Sequence, residues 1–373
     1  MRRPFMKNVK RFKSLRSLKS LRSRAVAVRR PFIKKYLWMN RVLVIQTASL
    51  GDAIIATALL EKLHRRFPAA ETDLLVQKGA DALFAGHPYL HTLFVWDKKK
   101  QKYAGLHRLI RRIRKRHYDV VVNVQRFAAT GWICLRSGAK ETVGFDKNPF
   151  SRFFSRRIPH EISAENYLYE ADRNQRLITH LTDGEDAPTR LYPTDSDEQA
   201  VSGYKEQPYL TLSPSSLWGT KQYPKERWIQ LIQAADRHYQ IYLLGSPKDF
   251  PLCEEIRKAC PEQLVRNLCG SLSLLQSAAL MRDAEMNFTN DSAPLHLAAA
   301  VGASVCAVFC STVKEFGCAP RGENIHIIET DRPLPCRPCG LHGHKQCPEQ
   351  HFRCAWDIPI EKIIQNIPPW NEA

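Results

Sequence analysis

The sequence predicts an α/β protein of two doubly wound halves separated by a cleft. Two observations carry this. Continuous apolar runs of strand length repeatedly lead through a short Gly- or Ser-containing turn into an amphipathic helix, the pattern of a parallel sheet covered on both faces. That pattern lapses into a polar, Pro-containing stretch after Asp183 (TDGEDAPTRLYPTDSDEQ) and then starts again.

In the first half RVLVIQ from Arg41 reads as a buried strand, TASLGD (Thr47 to Asp52) as a turn, and AIIATALLEKLHRRF as a helix. TDLLVQ and YDVVVNVQ read as further buried strands. Between them, Lys98 to Tyr118 holds ten Lys or Arg and no acid, with Leu106, Leu109, Ile110 and Ile113 at helical spacing. This predicts a surface helix with one buried side and a strongly positive outer side. That outer side is either simply solvated or meets a phosphate-bearing substrate or the membrane that carries it.

In the second half YLTLSPS is a strand entering a loop, ERWIQLIQAADRH a helix, QIYLLGS a strand and CEEIRKAC a helix. LLQSAALMRDA follows as a helix, EMNFTNDS as a strand and turn, PLHLAAAVG as a helix and SVCAVFC as a strand. The expected organisation is a basic extension over 1–40, one domain over 41–190, a second over 205–355, and a closing helix over 356–373.

Of 373 residues, 56 are Lys or Arg and 37 Asp or Glu, a formal charge of +19. Residues 1–40 contain 14 of the basic residues and no acid, so most of the excess belongs to a tail. The remaining body is close to an ordinary globular composition and large enough for two domains. Val9, Phe12, Leu15, Leu18 and Leu21 recur every third residue among the tail's cations, a drifting amphipathic stripe. Such a segment suits an anionic membrane surface, although nucleic acid attracts the same charges. The basic charge avoids the half that holds the phosphate-type loops, and no base-reading module is present, so no nucleic acid is expected. No window is long and apolar enough to span a bilayer, and no cleavable signal follows the basic start. Eleven cysteines, an odd number without a secretion signal, predict reduced thiols and a cytoplasmic setting.

Ligands of open parallel sheets bind beyond the carboxyl ends of the strands, which directs attention to three loops. In TASLGD, Asp52 is either an ordinary acid in the first turn of a helix or a carboxylate at the cleft able to act as general base. In SPSSLWGTKQYPKERW, Ser213, Ser215, Ser216 and Thr220 offer hydroxyls and Lys221 a cation, a loop able to hold a diphosphate although no GxxxxGK[ST] occurs. In NFTNDSAPLHLAAAVGA, the helix opened by Pro294 offers free amides and the positive end of its dipole, with His296 in the first turn. The alternative there is a helix capped by Asp291 or Ser292 with a packed histidine.

LVIQTASLGDAIIATALLEKL, SPSSLWGTKQYPKERW, YLLGSPKD and TNDSAPLHLAAAVG, in this order and spacing, resemble the heptosyltransferase family of lipopolysaccharide glycosyltransferases over roughly residues 41–365. The resemblance implies a GT-B fold, two Rossmann-like domains facing across a cleft, with the acceptor on the first and the nucleotide sugar on the second. It implies inverting transfer of a heptose, usually from ADP-heptose, to a lipid A/inner-core acceptor, with no cofactor required, at the inner face of the cytoplasmic membrane. By position, Asp52 matches the family's general base, with Thr47, Ser49 and Gly51 on the acceptor side. Lys221 matches the phosphate-binding lysine, and Ser215 or Ser216 the hydroxyl contact. Asp291, Ser292, Ala293, Pro294, Leu295 and His296 match the segment around the donor diphosphate and sugar. Leu272 would lie near the base, and Asp249, Glu254 or Glu255 near the ribose. Ala293 stands where family members often carry glycine, followed by Pro294, which leaves another nucleotide sugar as the alternative donor.

PCRPCGLHGHKQCPEQHFRC sets Cys336, Cys339, Cys347 and Cys354 among His342, His344 and His351. CxxC followed by two further cysteines is compatible with a structural zinc in a loop too polar to fold on a core, and equally with unliganded thiols.

Overall fold

The computed structural model describes residues 39–98, 104–162 and 167–370. The basic tail therefore lies outside the described residues, apart from Met39 and Asn40, as do Lys99, Lys100 and Lys102.

The first half contains β1 (Arg41–Ile45), β2 (Glu71–Gln77), β3 (Leu90–Trp96), β4 (Val120–Asn123), β5 (Glu141–Phe145) and β6 (Arg156–Ile158). Its helices are α1 (Leu50–Ile55), α2 (Thr57–Arg66), α3 (Ala104–Arg114), α4 (Ala128–Arg136) and α5 (Glu170–Gln175). α6 (Asp195–Val201) leads into the second half: β7 (Tyr209–Ser213), α7 (Lys225–Ala234), β8 (Gln240–Leu243), α8 (Phe250–Lys258) and β9 (Leu264–Asn267). There follow α9 (Leu274–Arg282), β10 (Met286–Asn290), α10 (Ala293–Ala300), β11 (Val305–Val308), β12 (Ile325–Ile328), α11 (Arg353–Trp356) and α12 (Glu361–Ile364).

Both halves solve the same packing problem in the same way. Each builds a six-stranded parallel sheet, in the orders β3-β2-β1-β4-β5-β6 and β12-β11-β10-β7-β8-β9. Val42 to Ile45 of β1 and all of β7 are buried, as strands covered by helices on both faces must be. In each sheet the strand order reverses beside the first strand of the half, between β1 and β4 and between β7 and β10. Such a switch point opens a crevice at the strand ends.

The linker is tied to both halves. The amide of Arg190 donates to Thr57 Oγ1 at 2.9 Å, and the amide of Leu191 donates to the carbonyl of Ala300 at 3.0 Å. α6 packs against α9 of the second sheet. The closing segment differs from the helix expected over 356–373: Pro359, Pro368 and Pro369 limit it to α12. Cys354, Ala355, Ile358 and Ile363 nevertheless sit inside the core of the second half, so a boundary at 355 cuts through packed structure.

α3 carries the expected amphipathicity. Leu109, Ile110 and Ile113 are buried while Arg108, Arg111, Arg112 and Arg114 are exposed. It packs against β3 and α4, and none of its residues lines the cleft. Among the described residues no helix is long and apolar enough to cross a membrane.

Candidate active site

The two switch points face each other across a cleft of about 1210 Å³, lined from both halves. Contact between the halves is closest where α1 meets α10. A Cβ at Gly51 would lie 3.0 Å from His296 Cδ2, so the absence of a side chain there lets the imidazole dock against the turn.

On the first-half wall, Ser49 caps α1, and its amide donates to Asp52 Oδ2 at 2.9 Å while its hydroxyl also bonds that oxygen. Asp52 belongs both to the helix start and to the cleft wall. It completes a capping box and it lines the cleft. Ser49 and Gly51 line the cleft as well. Thr47 does not: it is fully buried beneath the turn, donating from Oγ1 to Gln125 Oε1 at 2.7 Å, because the chain leaving β1 turns that side chain inward.

On the second-half wall, Lys221 and Asp291 are paired at 2.6 Å, both largely buried, and Thr312 donates to the same Asp291 oxygen at 2.6 Å. Asp291 is thus committed to Lys221 and Thr312 and does not cap α10. Ser292 occupies the cap position without a side-chain capping bond, its hydroxyl donating instead to the Asn290 carbonyl at 3.5 Å, so the first-turn amides are uncommitted by side chains. Pro294 has no amide, and the amide of Leu295 turns to the Ser292 carbonyl at 3.1 Å, leaving Ser292 and Ala293 as backbone donors at this end. His296 is buried, and that burial lowers its pKa, which favours the neutral ring. Ala293, Pro294, Ser215, Ser216 and Leu272 line the cleft, whereas Leu295 is fully buried in the core, pointing away from it. Among the three ribose candidates, Asp249 lines the cleft, bonded to Ser215 Oγ and to the amide of Ser246. Glu254 and Glu255 are drawn to Arg257 and Lys225 on the flank of α8 and do not line it.

The cysteine-rich segment proves to be a buttress for the phosphate-type loop. The amide and hydroxyl of Thr220 both donate to the His344 carbonyl, at 3.0 and 3.1 Å, and the His344 amide donates to Thr220 Oγ1 at 2.8 Å. Gly219 lies so close that a Cβ would fall 2.2 Å from the Lys345 carbonyl oxygen. Leu341 and His342 reach the cleft wall, the latter stacked on Trp218. All eleven cysteines are free thiols. Cys336 Sγ lies 3.8 Å from His351 Nε2, and Cys354 is buried in the core. Among the described residues no group of three or more His, Cys, Asp or Glu is placed to hold a metal ion, Cys336, Cys339, Cys347 and Cys354 included.

Among the cleft-lining residues that carry no signal in the sequence pattern are Glu170, Arg173 and Asn174 of α5, and Cys318. Burial and the nearby negative Asp52 push the Glu170 carboxyl up to about 7. Cys318 Sγ donates to Glu170 Oε2 at 3.4 Å, and burial holds that thiol protonated. These residues precede the linker and follow β11, where no strand-turn-helix cue marks them. Only a spatial criterion finds them.

Two Rossmann-type sheets that bring a first-half carboxylate to the same cleft as a second-half lysine and an uncapped helix start define a GT-B glycosyltransferase. The chain belongs to glycosyltransferase family 9, the heptosyltransferase family, whose profile matches residues 106–352. It is 33% identical over 296 residues to lipooligosaccharide heptosyltransferase 2 of Haemophilus influenzae, covering 74% of this chain and 84% of that protein. It is 24% identical over 320 residues to lipooligosaccharide heptosyltransferase 2 of Campylobacter jejuni, covering 85% and 93%. In fold it is similar to a family 9 glycosyl transferase from Veillonella parvula, with a TM-score of 0.75 at 20% identity, covering 88% and 96%. It is also similar to ADP-heptose lipopolysaccharide heptosyltransferase II of Escherichia coli, with a TM-score of 0.71 at 19% identity, covering 87% and 97%.

Proposed function

We propose that this chain transfers a heptose from ADP-heptose, with inversion at the anomeric carbon, to a lipopolysaccharide inner-core acceptor. The observation that carries this reading is the opposition of Asp52 to Lys221 and the start of α10 in one cleft. Asp52 takes the proton of an acceptor hydroxyl as its oxygen attacks the anomeric carbon. The bond from that carbon to the diphosphate oxygen breaks on the opposite side, and ADP leaves with the electron pair. The growing negative charge is met by Lys221 and by the Ser292 and Ala293 amides. A single in-line displacement accounts for inversion, and two walls closing on both substrates exclude water.

The test is turnover of ADP-heptose with a deacylated inner-core acceptor. Asp52→Asn should lower kcat by about 10²-fold or more with little change in ADP affinity, on the scale of general-base removal. Near wild-type transfer by a folded Asp52→Asn protein rejects the base assignment. Stabilisation by UDP and not by ADP rejects the donor assignment.

The working place in this reading is the anionic face of a membrane. Support comes from exposed Phe127, Trp132 and Phe153, with Arg136 over the Trp132 ring and Arg152 over the Phe153 ring. Phe127 stands at the lip of the cleft. Aromatic rings among arginines suit the headgroup region, and the basic residues 1–40 would add to it. Trp132→Ala with Phe153→Ala should weaken sedimentation with anionic liposomes, and unchanged sedimentation rejects this surface.

A further inference from the structure

α5 projects three polar residues into the cleft from the same half as Asp52. Its geometry is fixed from the second half, the Glu170 amide donating to the Gly317 carbonyl at 2.7 Å and Arg173 Nη2 to the Phe316 carbonyl at 3.0 Å, while the same Nη2 also donates to the Leu168 carbonyl of its own half at 3.1 Å. These bonds leave Arg173 Nε and Asn174 Nδ2 buried with no hydrogen-bond partner among the described residues. Arg173 is only 4% exposed and Asn174 2%. Among the described residues the Arg173 guanidinium makes no ion pair within 4.0 Å, and Glu170 feels its charge only at longer range.

Both features are unusual. An unmet buried donor costs on the order of 1–3 kcal/mol, and buried charges are as a rule paired. Two such donors on one helix, lining a cleft, therefore mark a place completed by a ligand. We propose that Arg173 Nε and Asn174 Nδ2 bind an anionic group of the acceptor, a carboxylate or a phosphate, and so position its hydroxyl for Asp52. This rests on the reading above that the first half holds the acceptor. The anion is assigned by a guanidinium that has no carboxylate partner among the described residues, and the acceptor by the wall on which it stands, since Lys221 and the α10 amides meet the donor from the other. Glu170, its carboxyl pushed up to about 7 by its surroundings, is protonated below neutral pH and repels the anion less there than an ordinary carboxylate would.

The test is calorimetric binding, in the presence of ADP, of a deacylated inner-core oligosaccharide in three forms: intact, carboxyl-reduced and dephosphorylated. Asn174→Ala should weaken binding of the intact form about 10-fold, and Asn174→Asp more through repulsion, with ADP affinity unchanged within twofold. Arg173→Lys should weaken it likewise, provided its melting temperature shows a retained fold; Asn174→Ala decides the matter if it does not. Wild type should lose a similar factor on one modified oligosaccharide, toward which Asn174→Ala has no further effect, and that form identifies the anion. Equal affinity of wild type and Asn174→Ala overturns the proposal, as does undiminished wild-type binding of both modified forms. So does a wild type that binds ADP and not the intact oligosaccharide. Absence of ADP binding with the oligosaccharide pattern intact overturns the donor assignment alone.

Discussion

Lys221 Nζ lies 2.6 Å from Asp291 Oδ2, an ion pair enclosed in the wall where a diphosphate would bind. The pair neutralises a lysine that must otherwise stand charged and nearly buried before the donor arrives. Losing one partner of such a pair leaves an uncompensated charge, a cost of about 3–5 kcal/mol. Asp291→Asn should therefore lower the melting temperature of the free protein, while ADP, by supplying the missing charge, should raise it by more than in wild type. An ADP-induced shift equal to or smaller than that of wild type would show that Lys221 does not face the diphosphate.

Glu170 predicts a pH effect. Its carboxyl titrates near 7 because burial and Asp52 disfavour the anion, against weaker opposite contributions from Arg173, the Cys318 hydrogen bond and Arg126. Acceptor affinity should fall as pH rises through 7, when the anionic carboxylate begins to repel the acceptor's negative group. Glu170→Gln should remove that inflection, and Asp52→Asn should shift it to lower pH. The measurement is acceptor KM against pH, with donor KM as control.

Gly317 is held at φ +87°, where a Cβ would fall 2.3 Å from the Leu168 carbonyl oxygen and 2.5 Å from Arg173 Nη2. Gly317→Ala combines left-handed strain of about 1–2 kcal/mol with this clash. It should cost at least about 2 kcal/mol in denaturant unfolding and raise acceptor KM by displacing α5. Acceptor KM equal to that of wild type would separate this loop from the site.

Thr220 joins the phosphate-type loop to His344 and Ser311. Thr220→Val keeps the shape and strands the His344 amide, a loss of roughly 1–3 kcal/mol. Donor KM should rise more than acceptor KM, because Gly219 and Lys221 flank the loosened residue.

At the far end of the first sheet, His180 and Arg156 hold the Glu141 carboxyl down at about 2 from an ordinary 4.5. A depressed carboxyl contributes stability that is complete above pH 4.5 and is lost as pH falls toward 2. The span corresponds to roughly 3 kcal/mol, an upper figure because Arg156 is partly exposed to solvent. Glu141→Gln should flatten the acid limb of stability between those pH values, measured by urea unfolding, with little change near neutrality beyond a constant offset.

Much of the second half was legible in sequence. Lys221, Asp291 and the α10 start follow apolar strands at a switch point, and the strand-loop-helix pattern announces them. The edge strands β3, β6, β9 and β12 left weaker traces, since their burial is partial and their residues mixed. Thr47 and Leu295 neighbour the site along the chain and yet are buried away from the cleft, because proximity in sequence does not say which way a side chain turns.

From the residues alone came the two-half α/β plan and the carboxylate and lysine that meet in its cleft, because strand and helix periodicity and turn chemistry are local properties. Tertiary structure alone decided what shares the cleft with them. Glu170, Arg173, Asn174 and Cys318 are brought there by an inter-half brace through Gly317, and the cysteine-rich loop becomes a support for Thr220. These are contacts between segments more than 120 residues apart, or on opposite halves, and no local pattern encodes which carbonyl will receive which donor.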